Sequence, residues 1–320
     1  MSSPDNSDKS KSVVDLYDKD YDFWDNYIEG RPQVPDSFFE RILAYHSQHS
    51  NCFALAHDAG AGAAVHSYAF ADEFAKVIVS DISASNIYVA KTRWGDTDHF
   101  TYRVGRLQDT AEDIAAGSVD LFFVSTAIHF CGDEVGKAIE EAARQLKSGG
   151  TIAVSAFGPA IFDDPEVQRI WLKLYQQSGH VHVASRPGGN LLLDPWKIGA
   201  SSYDAVPLPV ELFEPGALRI KLNFNMTPGF TWRELHTPPE DADLLPEWSQ
   251  VGPDDQMSFE SDSGWRFEWE ETQLRMHKHS MRFPNDEQVS KLWLEMVELV
   301  KSRGTVKGVW PAIILLATRR

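Results

Sequence analysis

The sequence predicts an α/β fold in which strands and helices alternate along most of the chain. Three observations carry that expectation. Short apolar runs recur with helical stretches between them, the pattern of strands joined by crossovers. One run, Val119 to Ser125, is almost continuously apolar, as a strand at the buried centre of a parallel sheet must be. The stretch from Asn51 to Ser85 reads as a complete β–turn–α–β unit.

In that unit an apolar run meets the turn Asp58-Ala59-Gly60-Ala61-Gly62-Ala63-Ala64, and a second run ends in Asp81. Glycines let backbone approach a ligand closely, because no Cβ intervenes. An acid about 20 residues on, at the tip of the next strand, can accept hydrogen bonds from two ribose hydroxyls. The stretch therefore reads as a nucleoside site; the plainer alternative is a glycine-rich packing turn. A dinucleotide fingerprint would need the third glycine of G-x-G-x-x-G, which is absent. Asp58 instead precedes the first glycine by two positions.

Composition narrows the partners. A net charge of -17 with no basic block argues against nucleic acid and anionic membranes. No run reaches membrane-spanning length, and the polar N-terminus carries no secretory pattern. Two cysteines, Cys52 and Cys131, make no disulfide framework, which fits a cytoplasmic setting; both read as buried or half-buried. With 42% hydrophobic residues the chain can build a substantial core. We read a single domain over residues 13–320 behind a mobile tail, 1–12, with insertions at 179–216 and 238–285.

In chain order, an aromatic lead-in holds Tyr17, Tyr21, Phe23, Trp24 and Tyr27. Arg31 follows beside Pro32; its planar guanidinium suits a carboxylate, or it is a surface arginine at a proline turn. Asp36 or Ser37 caps a helix to about His49. A helix over 65–75, a strand over 76–82 and a helix capped by Ser83 complete the first unit. A third strand spans 100–106, and strand four, 119–125, leads to His129 at the sheet's carboxyl edge, where ligands of open α/β sheets bind. A helix over 133–146, a strand over 151–156 and a helix over 166–177 follow. The proline- and glycine-rich stretch 179–216 suits a substrate-covering flap. Strand six spans 218–226, and Phe230 to Leu235 can form a helical turn. Trp265 to Trp269 alternates like an extra strand. His277 and His279 lack further ligands at metal-binding spacing. An amphipathic helix over 286–301 precedes a long apolar strand, 306–318, where Pro311 demands a bulge or an unpaired side.

Several of these pieces, in this order, resemble class I S-adenosylmethionine-dependent methyltransferases. Asp58 to Ala64 matches D-x-G-x-G-x-G, with Ala64 in place of the last glycine. Thr110-Ala111-Glu112-Asp113 resembles S-A-E-D, with Thr110 for the serine, and Ser118 to Leu121 matches S-V-D-L. Ser125 to Phe130 resembles an A-x-x-A-H-W run, with His129 matching the histidine and Phe130 replacing the tryptophan, and Leu146 to Thr151 resembles L-K-x-G-G-T. More narrowly, Tyr27-x-x-x-Arg31-Pro32-x-x-Pro35 resembles the fungal trans-aconitate methyltransferase group.

The resemblance covers most of residues 13–235 and 286–320. It implies a Rossmann-like sheet of seven strands, order 3-2-1-4-5-7-6, the last antiparallel, with an insertion between strands five and six. It implies S-adenosylmethionine as cofactor, held by Tyr27, Arg31, Asp58, Ala59, Gly60, Ala61, Gly62, Asp81, Ile82, Thr110, Ala111, Glu112 and Ser125. His129 would be catalytic, with Trp24 and Phe130 against the substrate. The acceptor it implies is a small molecule, methylated on a carboxylate or hydroxyl of an organic acid or secondary metabolite. The alternative is a non-catalytic protein of the same fold that binds S-adenosylmethionine or a protein partner.

Overall fold

The computed structural model describes residues 18–19, 21–31, 33–184, 198–199, 201–224, 249–281 and 283–320. The expected tail at 1–12 and the helical turn near Phe230 lie outside the described residues.

The main sheet contains β1 (Leu55–Ala59), β2 (Lys76–Asp81), β3 (Phe100–Val104), β4 (Val119–Ser125), β5 (Leu146–Phe157), β7 (Leu218–Leu222), β8 (Gln256–Glu260) and β11 (Ala312–Thr318). A small second sheet contains β6 (Ile161–Phe162), β9 (Arg266–Trp269) and β10 (Val306–Val309). The helices are α1 (Tyr21–Gly30), α2 (Asp36–His49), α3 (Tyr68–Ala71), α4 (Ala84–Trp94), α5 (Val135–Gln145), α6 (Pro165–Ala184), α7 (Glu271–Met281) and α8 (Glu287–Arg303).

The main sheet runs β3-β2-β1-β4-β5-β11-β7-β8. Only β11 is antiparallel to its neighbours, β5 and β7. That is the expected order with one strand added. The eighth strand, β8, lies inside 238–285 and pairs parallel with β7. Its Met257 and Phe259 are exposed, so no buried face marked it in the sequence. The single strand expected over 306–318 is two. Pro311 has no N–H to give a ladder, and the chain changes sheets there: β10 pairs with β6 and β9, and β11 with β5 and β7.

Alternation along β11 feeds both faces of the sheet. Ile314 and Leu316 join Ile42, Trp171 and Met296 from α2, α6 and α8. Ile313, Leu315 and Ala317 join Ile139 of α5 and Tyr203 and Phe213 from the segment before β7.

Local signals set the starts of two helices. Ser83 Oγ accepts from Asn86 N at the start of α4, as expected, and Asp286 accepts from Val289 N at the start of α8. α2 departs from expectation: neither Asp36 nor Ser37 caps it, and Ser37 Oγ instead donates to Asp262. The helix expected over 65–75 shrinks to α3, because turns continue through Ala64, which is left-handed at φ 57. Cys52 is exposed rather than buried, while Cys131 is buried.

Asp120 anchors the strand centre. Its buried carboxylate accepts from Ala54 N (3.0 Å) and Leu55 N (2.9 Å) and pairs with Lys147 Nζ at 2.6 Å. Asp120→Ala leaves two N–H groups and a cation without their acceptor, so we expect a loss of about 3–5 kcal/mol. Urea unfolding measures it, and a loss below about 1 kcal/mol would mean that water replaces the carboxylate.

Candidate active site

The turn after β1 adopts left-handed backbone at Gly60 (φ 68) and Gly62 (φ 57). A Cβ on Gly60 would collide with the Ala127 methyl, and one on Gly62 with the Trp24 indole. Ala64 holds the same left-handed backbone with a methyl present, a strain of about 1–2 kcal/mol. Trp94 Nε1 donates to Ala64 O at 3.0 Å and helps fix the turn. Ala59 ends β1, and Ala61 N donates to Ser80 O at 2.9 Å, closing the turn onto β2.

Two acids sit at adjacent strand ends. Asp81 is buried and accepts from Gly62 N (2.9 Å), Ser83 N (2.9 Å) and Asn86 Nδ2 (3.0 Å). Burial raises its pKa against those donated bonds. Ile82, half-buried, follows it. Asp58 accepts from Ser67 Oγ at 2.5 Å. Burial pushes the Asp58 carboxyl up to about 7, opposed by the Ser67 bond and reinforced by the charge of Asp81. Neither acid pairs with a cation among the described residues, so this end of the site suits a positively charged ligand.

A carboxyl raised on folding contributes stability below its ordinary range, and that contribution is lost as pH climbs toward and through about 7. Asp58→Asn should abolish this loss. The variant's stability relative to wild type should rise between about pH 4 and 8, by on the order of a few kcal/mol. Parallel unfolding curves across that range would show that Asp58 does not titrate there.

The lead-in closes over this end. Asp18 accepts from Ser83 Oγ at 2.7 Å and from Ser85 Oγ. Trp24 Nε1 donates to Asn86 Oδ1 at 2.9 Å, which joins α1 to the Asp81 network. Trp24, expected on the substrate, thus lies at the acid and glycine end, with Phe23 and Tyr27 packed around it. The far end of α1 is pinned to α7, because His277 Nδ1 meets Gly30 O at 2.8 Å. Burial, aided by the nearby Arg31 charge, holds His277 near 3, so the neutral ring donates that bond.

Arg31 lies between rings, its guanidinium carbon 4.7 Å from the Tyr27 centroid and 5.5 Å from that of Phe157. Its Nε is buried without a hydrogen-bond partner, and no carboxylate pairs with it among the described residues. His66 packs on Phe157 nearby, and burial together with Arg31 holds it near 4, hence neutral. Among the described residues, then, Arg31 has ring partners and no anionic one.

The other end is built on the exit of β4. Ser125 is buried with its Oγ unpaired, and Thr126 is left-handed at φ 51. A 3₁₀ helix, Ile128–Glu134, then carries His129 and Phe130, their ring centroids 3.9 Å apart. His129 Nδ1 lies 2.6 Å from Tyr203 Oη. The side chain of Ala127, just before this helix, faces Gly60. So β4's exit and the glycine turn meet at one edge of the sheet.

Of Thr110, Ala111 and Glu112, expected on the cofactor, one has its backbone donor already engaged. Ala111 is buried, and its N–H donates to Glu141 Oε1 at 3.0 Å, so it does not present that donor to a ligand. Thr110 and Glu112 are exposed beside it. Sequence reading missed Asn86, Ser67, Glu141 and Tyr203. Asn86 had a signal, since it stands three residues after the capping Ser83; the others meet the site only through tertiary contacts. Among the described residues no group of three or more His, Cys, Asp or Glu could hold a metal ion, and no helix is long and apolar enough to cross a membrane.

Left-handed glycines and two buried acids without a cation among the described residues fit S-adenosylmethionine, whose sulfonium and ammonium are cationic. Comparison with known proteins agrees. A methyltransferase domain family model matches residues 57–154. Methyltransferase gedG of Aspergillus terreus is 40% identical over 95% of this chain and 93% of its own. Methyltransferase AacuQ of Aspergillus aculeatus is 38% identical over 95% and 96%. A solved structure from Anaeromyxobacter dehalogenans, assigned as a type II methyltransferase, shares the fold: TM-score 0.50, 19% identity, over 90% of this chain and 97% of its own. With relatives this similar along nearly its whole length, the chain belongs to the class I S-adenosylmethionine-dependent methyltransferases.

Proposed function

We propose that this enzyme methylates a small organic acid or hydroxylated metabolite, with a carboxylate as the favoured acceptor. The observation that carries the reading is Arg31, held between Tyr27 and Phe157 with a buried, unpartnered Nε. The fungal trans-aconitate methyltransferase group, which the Tyr27 to Pro35 run resembles, points the same way. A cytoplasmic role in secondary metabolism fits the fungal origin of the relatives.

When bound, S-adenosylmethionine supplies a methyl group already activated on sulfonium sulfur. Asp81 would hold the ribose hydroxyls, and Asp58 and the turn from Ala59 to Gly62 the methionine portion. Thr110, Ala111, Glu112 and Ile82 would border the base, and Ser125 would offer its hydroxyl at the end of β4. Trp24 and its ring neighbours exclude water from the acid end. Arg31 would grip an anion, and His129 with Phe130 would orient the acceptor. Such alignment can supply on the order of 7–11 kcal/mol without covalent help. A carboxylate needs no general base; a hydroxyl acceptor would.

The test is calorimetry with S-adenosylmethionine and S-adenosylhomocysteine, then labelled-methyl transfer over a panel of carboxylic acids and phenols. Wild type should bind both nucleosides and methylate an acid. Arg31→Met should raise KM for the acid about tenfold if Arg31 holds the acceptor, or weaken the cofactor if it holds the cofactor's carboxylate. Absence of nucleoside binding would sink the site assignment, and turnover confined to phenols would sink the carboxylate.

A further inference from the structure

We infer that Tyr203 is a positioning residue for His129 that fixes its hydrogen on Nε2, so that His129 serves a carboxylate acceptor as a hydrogen-bond donor and not as a base. The inference rests on the proposed acceptor-side role of His129.

Tyr203 Oη and His129 Nδ1 are 2.6 Å apart, within reach of a bond in which the phenol donates and Nδ1 accepts. A neutral imidazole with Nδ1 accepting carries its hydrogen on Nε2. Such a ring meets an acceptor oxygen with N–H through Nε2.

The loop that delivers Tyr203 is held at a cost. Ser202 (φ 54) and Tyr203 (φ 63) are both left-handed, and for a bulky residue that is a true outlier. Backbone strain of this kind persists only where surroundings enforce it. Here β7 does so with two buried cations on one face. Arg219 donates to Tyr203 O (3.3 Å) and Val206 O (3.2 Å) while paired to Asp255 at 2.7 Å. Lys221 donates to Ser202 O and pairs with Asp204 at 2.7 Å. Arg219 and Lys221 are almost fully buried. Burying cations there is weak evidence for stability, since apolar side chains of similar size often serve as well. What they do is take the carbonyls of the two strained residues and lock the ring's approach to His129.

The chemistry follows from the tautomer. A carboxylate oxygen supplies the electron pair of the new C–O bond, the sulfur–methyl pair returns to sulfur, and no proton moves. An N–H at Nε2 orients that oxygen. An alcohol acceptor would instead need a ring nitrogen ready to take a proton, which a hydrogen fixed on Nε2 withholds.

Nitrogen-15 spectra of histidine-labelled enzyme with S-adenosylhomocysteine test the positioning without any acceptor. The His129 signals are identified by their loss in His129→Ala. Wild type should show Nδ1 as a hydrogen-bonded acceptor and Nε2 protonated, and Tyr203→Phe should shift both toward a tautomer mixture. A protonated Nδ1 in neutral wild type, or an unchanged pattern in Tyr203→Phe, would overturn the assignment. On an acid that wild type methylates, Tyr203→Phe should lower kcat about tenfold and leave KM for S-adenosylmethionine within about threefold. In the His129→Ala background the same change should have no further effect; additive losses would mean that Tyr203 does not act through His129. If wild type methylates no acid, the acceptor class falls, while the spectra still decide the Tyr203–His129 pair.

Discussion

Asp81→Ala is expected to weaken S-adenosylmethionine binding by at least about tenfold and also to lower the melting temperature by several degrees. The first effect comes from the ribose. A carboxylate that accepts hydroxyl hydrogen bonds contributes roughly 1.5–3 kcal/mol for each, and about 1.4 kcal/mol is a factor of ten. The second comes from the protein's own donors. Gly62 N–H, Ser83 N–H and Asn86 Nδ2 all meet Asp81 in a buried setting. Removing their acceptor costs roughly 1–3 kcal/mol for each group that water does not reach. Asn86→Ala separates the two effects, because it disturbs the same network and keeps the carboxylate. It should lower stability by a smaller amount and change nucleoside affinity less than Asp81→Ala. Calorimetry and thermal unfolding on the two variants read both quantities. Equal nucleoside affinity in wild type and Asp81→Ala would remove Asp81 from the ribose site, whatever the melting temperature did.

Much of the fold was legible because its signals are local. The glycine turn, the Ser83 cap, the continuous apolar strand at Val119–Ser125 and the amphipathic pattern of α8 each declare themselves within a few residues. What escaped depends on distant partners. β8 shows exposed apolar residues and exists through its pairing with β7. β6 is two residues long and is ordered by β10. Pro311 announced a break, but the strand's division between two sheets follows from what lies beside each half. In the site the same division holds. Asp81 and the glycines sit in one contiguous motif, whereas Trp24 reaches Gly62 by folding the lead-in back over α4. Ala111 shows a motif overtaken by tertiary context: its N–H belongs to Glu141, a residue with no sequence proximity to advertise the contact.

His129→Ala is expected to cut turnover by about 10²-fold or more while S-adenosylmethionine affinity stays within about threefold. His129 stands on the 3₁₀ helix after β4, close to where Ala127 meets Gly60, and among the described residues it contacts Phe130 and Tyr203. None of these is part of the Asp81 network, so the cofactor end should be unaffected. Loss of one preorganised donor to the reacting oxygen costs about 2.7–4 kcal/mol in activation free energy, which is the expected factor. His129→Gln distinguishes the roles. Glutamine can present an N–H but cannot serve as a base at neutral pH. If His129 orients a carboxylate, the glutamine variant should recover a substantial part of the lost rate; if it removes a proton, glutamine should be no better than alanine. Both are measured as labelled-methyl transfer to an acid that wild type turns over. An alanine variant running near the wild-type rate on that acid would make His129 a packing residue beside Tyr203 and leave acceptor orientation to Arg31.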